Sequence, residues 1–173
     1  MVDYYDIDDI LATGEKVPSI FNITVPGLGY LEGNPGKPIN EGTKVELPLW
    51  LAEQLAHLEA PDGTPFISLL EPESLNVKVR NAIRTDPVAL DVHSILPNYY
   101  KMAEKYCSFF SDEELSEIIK QMIKERSLEI YSYANNSSKQ MNSRFMLSLD
   151  EFEKRLFKIA SESNRQMKNW LKE

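Results

Sequence analysis

The chain has 173 residues, 42% of them hydrophobic, and a formal net charge of −8. That length suits one ordinary domain or two small ones, and that apolar fraction belongs to a folded protein. The charge argues against tight non-specific nucleic-acid binding, which needs clustered Lys and Arg against phosphates, and no apolar run approaches the roughly 20 residues that span a bilayer.

The N-terminal stretch MVDYYDIDDIL is acidic and aromatic, unlike a secretory or mitochondrial leader. Cys107 is the only cysteine, so the chain forms no internal disulfide. Both features point to an intracellular protein, in which the Asn-x-Ser/Thr matches at Asn22, Asn135 and Asn136 are chance.

The first sixty residues carry strand-like signals. FNITV (21–25) alternates apolar Phe21, Ile23 and Val25 with Asn22 and Thr24, which predicts a half-buried strand. GYL (29–31) is a candidate second strand, EGNPGKP (32–38) is dense in turn residues, and TKVEL (43–47) alternates again. Pro48 then opens a helix over 48–58, as a first-turn proline. Gly27, Gly29 and Gly33 do not make a phosphate loop, because they lead into Asn34-Pro35-Gly36 and another strand rather than into a helix N-terminus. A β unit this small buries too little surface to be stable by itself.

PDGTP (61–65) reads as a linker, followed by a short helix near 72–84. Three longer helices carry start signals. Asp86 with Pro87 is an N-cap followed by a first-turn proline. Ser111 to Glu114 and Ser148 to Glu151 are capping boxes, with Phe110–Leu115 and Leu147–Phe152 as their hydrophobic staples. Pro97 kinks the first of these helices without breaking it, because the stripe Val88, Val92, Ile95, Leu96, Tyr99, Ala103, Tyr106 and Phe110 keeps its phase beyond the proline. NNSSKQMNS (135–143) is a flexible polar loop between the last two helices. The expected fold is α+β, mostly α. Residues 1–60 form a small β-rich domain with one helix, 61–84 a linker and short helix, and 85–173 a helical bundle.

RTDPVALDVHSILPNYY (84–100) holds one of the two histidines between acids and invites an acid/base or metal reading. On a helix, Asp91 and His93 sit about 160° apart. Asp86 shares the side of His93 but lies roughly 10 Å away along the axis, and it is better used as a cap. His93 then sits at the edge of the apolar stripe as a boundary residue, and His57 is a surface histidine near Glu53 and Glu59. No Cys/His group has zinc spacing, and no serine stands in a nucleophile elbow. Asp6, Asp8, Asp9 and Asp112, Glu113, Glu114 are helix-start or surface charge rather than a carboxylate hydrolase site. No catalytic residue, metal or cofactor is assigned.

The last helix, about 149–171 and roughly 34 Å long, collects Leu149, Phe152, Leu156, Ile159, Ala160, Met167, Trp170 and Leu171 in an arc of about 120°. Phe157 lies at its flank. The middle helix places Leu115, Ile118, Ile119, Met122, Ile123, Ile130 and Tyr133 on one side, with Leu128 and Tyr131 opposite, where a monomer would be polar. Arg126 stands near the centre of that apolar stripe and, if buried, needs an acidic partner, for which Glu153 is one candidate. Long helices with extra apolar positions describe a subunit of an obligate assembly.

YYDIDDILA (4–12), VPGLGYLEGNPGKPI (25–39), ELPLWLAEQLA (46–56) and KVRNAIRTDPVALDVHSI (78–95) resemble, in order and over nearly the whole chain, the PSF-three type of subunit of the eukaryotic GINS complex. The resemblance implies a B-type β domain followed by an A-type helical domain. It implies a heterotetramer with PSF-one, PSF-two and SLD-five type subunits, which acts in the nucleus. There, with the MCM ring and a RecJ-like accessory protein, it forms the replicative DNA helicase and contributes no catalysis of its own. Neither a membrane nor tight DNA binding by the isolated chain is implied. Helical position then nominates Tyr4, Tyr5, Trp50, Leu128, Tyr131, Phe157 and Trp170 as partner-interface residues. The competing reading is an acidic, nucleic-acid-associated adaptor module outside GINS.

Overall fold

The structure, a computed structural model, describes residues 5–135 and 144–171. The chain divides into two compact units, residues 1–73 and 74–173. A small antiparallel sheet lies in the first and a helical bundle in the second, the α+β, mostly α architecture that the residue pattern implied. The polar loop expected at 135–143 falls, apart from Asn135, outside the described residues.

The first unit opens with helix α1 (Ile7–Gly14), whose N-cap Asp6 accepts a hydrogen bond from the Asp8 N–H. Strand β1 (Lys16–Phe21) follows and pairs antiparallel with β2 (Lys44–Pro48) and β3 (Ile67–Leu69), in the order β2-β1-β3. The strand expected over 21–25 is not formed: β1 ends at Phe21, and Val25 makes only an isolated bridge with Ile39. Val17, Ser19 and Phe21 point inward, and that period of two is hidden by a serine at an inward position and by Pro18. The proline is tolerated because its carbonyl, and hence its missing N–H, faces the β3 side. There it accepts from the Leu70 N–H, while β3 pairs only with Ser19 to Phe21.

GYL is not a strand but part of a 3-10 turn (Gly29–Glu32), closed by Gly33 in the left-handed region at φ 77°. Gly29 is required by close approach: a Cβ there would meet the carbonyl oxygens of Asn34 and Lys37. Pro48 ends β2 and occupies the N-cap position of α2 (Leu49–Ala56), one residue before the first turn expected for it. β3 lies within the stretch expected to be a linker. Phe21, Ile39, Leu47, Ala52 and Ile67 form the core of this unit.

In the second unit a 3-10 turn ending at Leu75 leads into α3 (Val77–Thr85), capped by Asn76. The long kinked helix expected from Asp86 to Phe110 is instead broken. Asp86 is extended and its carboxylate accepts from the Val88 and Ala89 N–H groups. One helical turn follows as α4 (Val92–Ile95), Leu96 is extended, and α5 (Tyr99–Phe110) begins beyond Pro97. A residue before proline avoids the helical region, and the break is held from outside. The Pro97 carbonyl accepts from the Glu151 N–H at 2.9 Å, and the His93 N–H donates to Ser148 O at 3.1 Å.

Both expected capping boxes start too early. Ser111 is the left-handed C-cap of α5 (φ 52°), and Asp112 caps α6 (Glu113–Asn135) by accepting from the Leu115 N–H. Ser148 bonds the Phe145 carbonyl at the end of the short α7 (Arg144–Leu147). The actual capping box on α8 (Glu151–Trp170) is Asp150 with Glu153. At both sites an aspartate one or two residues downstream takes the cap.

Leu75, Ile83, Val92, Tyr99, Ala103, Leu115 and Met122 form the bundle core. Arg126 meets Glu153 and Ala134 meets Asn164, so α6 and α8 run in the same sense. No helix among the described residues is long and apolar enough to cross a membrane.

Candidate partner surfaces and the buried centre that positions them

Arg126 is 0% exposed and Glu153 2%. The two pair in bidentate fashion, Nε to Oε1 at 2.6 Å and Nη2 to Oε2 at 2.8 Å. The remaining donors of the guanidinium reach the carbonyls of Pro87 (2.8 Å), Leu90 (3.0 Å) and Ser148 (3.3 Å). Every N–H of the fork thus has an acceptor, and its carbon lies 5.1 Å from the centre of the Phe145 ring. The pairing of Arg126 with Glu153 is the one anticipated from helix phase.

Burial opposes the charge on Arg126, but the hydrogen bond and charge of Glu153 outweigh it and raise its pKa. The Tyr100 hydroxyl donates to Glu153 at 2.8 Å and is held well above the usual phenol range by burial and by that carboxylate. Burial likewise pushes Asp150 up to about 6. The centre clamps the 87–90 turn, α6, the corner before α8 and α8 itself into one frame. It leaves no Arg126 donor for a ligand.

That frame fixes which α8 residues are covered. Asn164 Nδ2 bonds the Ala134 carbonyl one residue before the end of α6, so Met167, Trp170 and Leu171 lie past that end. Ile159, Met167, Trp170 and Leu171 are exposed, Trp170 by 72%. All four were expected to face the core, but the apolar arc is only partly the covered face: Leu149 is buried and Leu156 and Ala160 are half-buried, but Phe152 and Ile159 are exposed, and the helix turns Glu153 inward instead. Leu128 and Tyr131 are 68% and 65% exposed on the outer face of α6, one turn apart. Phe157 is half-buried on a different flank of α8. In the first unit Tyr5 and Trp50 are exposed, and Tyr4 lies outside the described residues.

Sequence reasoning missed further exposed groups, two of them in the first unit. Ile7, Ile10 and Leu11 line one face of α1; their i, i+3, i+4 spacing after Asp6 was a helix signal read only as acidic and aromatic. Tyr30 stands exposed on the 3-10 turn, and no periodicity announces it.

The acidic and histidine groups have local roles. Asp91 caps α4, and its hydrogen bonds from the Ser94 hydroxyl and N–H hold its carboxyl below the usual range. The His93 ring nitrogen Nδ1 lies 3.4 Å from Lys154 Nζ. Asp112 is likewise held low by the Arg80 guanidinium at 2.8 Å, and His57 is the C-cap of α2. Among the described residues no group of three or more His, Cys, Asp or Glu is placed to hold a metal ion.

Residues 5–57 match the PSF3 N-terminal domain family, and residues 74–172 match the GINS complex protein helical bundle domain. The chain is 60% identical over 173 residues to the DNA replication complex GINS protein PSF3 of Debaryomyces hansenii, covering 99% of this chain and 98% of the relative. It is 51% identical over 172 residues to the protein of the same description in Candida albicans, with 98% and 97% covered. Against that of Saccharomyces cerevisiae it is 40% identical over 189 residues, with 97% of each covered. With both units matched and the relatives aligned from end to end, the chain belongs to the GINS PSF3 family.

Proposed function

We propose that the chain is a non-catalytic scaffold subunit of a GINS heterotetramer, built with PSF-one, PSF-two and SLD-five type subunits. The observation that carries this reading is the end-to-end similarity to PSF3 proteins, both units included. The uncovered apolar residues of α8 and α6 support it, because a chain working alone gains nothing by holding Trp170, Met167, Ile159, Leu128 and Tyr131 in water. Partner subunits cover these residues, and Trp50, Tyr4 and Tyr5 complete the set that meets them, while Phe157, on a different flank of α8, is a candidate contact for a further partner.

In this reading the assembled complex joins the MCM ring and a RecJ-like accessory protein in the replicative DNA helicase, and works in the nucleus. The chain supplies shape and contact area. Its acidic charge suits protein partners better than DNA.

Co-expression with the other three subunit types, followed by size-exclusion chromatography with light scattering, tests the proposal. A single peak with equal amounts of the four chains is expected. A stable monomer that ignores the other three, with a sharp unfolding transition of its own, would overturn it. Tight DNA binding by the isolated chain, with a steep salt dependence, would favour the adaptor reading instead.

A further inference from the structure

Opposite the exposed apolar stripe, α8 borders a groove of about 770 Å³ lined by Ala134, Phe157, Lys158, Ser161, Glu162, Asn164, Arg165 and Lys168. Its chemistry differs from the rest of the molecule. The chain carries −8, yet α8 holds Lys154, Arg155, Lys158, Arg165 and Lys168 against Glu151, Glu153 and Glu162. Those three acids are already engaged: Glu153 by Arg126, Glu151 by Lys154 and Glu162 by Arg165. Lys158 and Lys168 pair with no described residue, and both face the groove. Ser161 lines the same groove, and its hydroxyl oxygen is buried with no hydrogen-bond partner among the described residues, a cost that a bound acceptor would remove. Phe157 and Ala134 supply apolar wall.

We infer that this groove docks an acidic peptide segment of a partner protein. An apolar side chain of the segment would lie on Phe157, its carboxylates would face Lys158 and Lys168, and an acceptor would reach Ser161. The sequence NSSKQMNS (136–143), which follows α6, contains no Asp or Glu and does not itself supply those carboxylates. A nucleic-acid backbone fits less well, because phosphates need a longer cationic track than two free lysines on an acidic protein. The inference rests on the scaffold reading only in taking the partner to be a protein.

The test is fluorescence anisotropy on the full-length chain, alone where it is monodisperse and otherwise in its co-expressed complex. The probe is a labelled dodecapeptide of Asp and Glu with central Phe and Leu. Controls are the same peptide with Ala for Phe and Leu, one with Gln and Asn for the acids, and a labelled oligo-dT. The acidic–apolar probe should bind, weaken as salt is raised, and lose about tenfold or more in affinity in the double variant Lys158→Glu/Lys168→Glu. Ser161→Ala should cost a smaller, several-fold loss.

Equal binding by the variant, equal binding of the uncharged probe, no binding of the acidic probe, or oligo-dT binding lost in the same variant would each overturn the inference. Recovery of the four-subunit complex with the lysine variant separates this result from the scaffold reading. An intact complex with peptide binding lost supports the groove, whereas failure of the wild-type chain to assemble speaks only to the scaffold.

Discussion

The two halves of α8 hold their residues in opposite ways. In the first half a glutamate is buried with an arginine, and every donor and acceptor around them is matched. Towards the C-terminal end Met167 and Trp170 stand in water, beyond the Asn164 contact with the Ala134 carbonyl of α6. A buried ion pair adds little net stability over a well-packed apolar core. What it adds here is geometry: it fixes the rotation and height of α8, and so which residues of that helix are left for a partner. The rule-breaking charge at one end positions the rule-breaking hydrophobes at the other.

The sharpest way to break this contrast is to remove one member of the pair. Arg126→Met leaves Glu153 buried without its cation and strips the carbonyls of Pro87, Leu90 and Ser148 of a donor, so a loss of about 3–5 kcal/mol is expected in urea unfolding. Replacing both Arg126 and Glu153 by Leu should recover only part of that loss, because the carbonyls stay unpaired. Full recovery would mean that the pair carries no positioning role.

Asp150 offers a pH test of the same centre. Its folded pKa of about 6 lies above the unfolded value, so the folded state holds the proton more tightly. Its contribution to stability is therefore greatest below the unfolded pKa and is lost as pH rises through about 4 to 6. Asp150→Asn cannot ionise. Relative to wild type, the variant should gain up to about 3 kcal/mol between pH 4 and pH 7. Urea unfolding at a series of pH values reads this directly, and a pH-independent difference would contradict it.

At the exposed end the expectations reverse. Trp170→Ala or Met167→Ser should change the chain's own stability by no more than about 0.5 kcal/mol. Trp170→Ala should cost about 2 kcal/mol or more in assembly with the other subunits if the tryptophan is an anchor, measured by competition for the complex. Leu128→Ser should cost less, since its helix is already held in the bundle through its opposite face. In the sheet unit, Gly29→Ala should destabilise by roughly 1–3 kcal/mol through the crowded Asn34 and Lys37 carbonyls, with no effect on the bundle.

The Arg126–Glu153 pair could be read from residues alone, since helix phase placed Arg126 in an apolar stripe and Glu153 on an apolar flank. The order of a small β region before helices was legible for the same reason, that local periodicity carries it. The break at Pro97 was not. The stripe from Val88 to Phe110 keeps helical phase, and what stops the helix is a pair of hydrogen bonds from the corner before α8, remote in sequence. The cover over α8 was equally hidden: periodicity groups Ile159, Met167 and Trp170 on one side, but does not say whether that side meets α6. β3 is only three residues long and leaves almost no pattern to find.

Hydrogen–deuterium exchange of the chain, free and in the co-expressed complex, reads both ends of α8 at once. Amides around Glu153 should exchange slowly in both states, while those from 165 to 171 should gain protection only on assembly. Equal exchange of 165–171 in both states would refute the proposal, because the exposed end of α8 would then have no partner to meet.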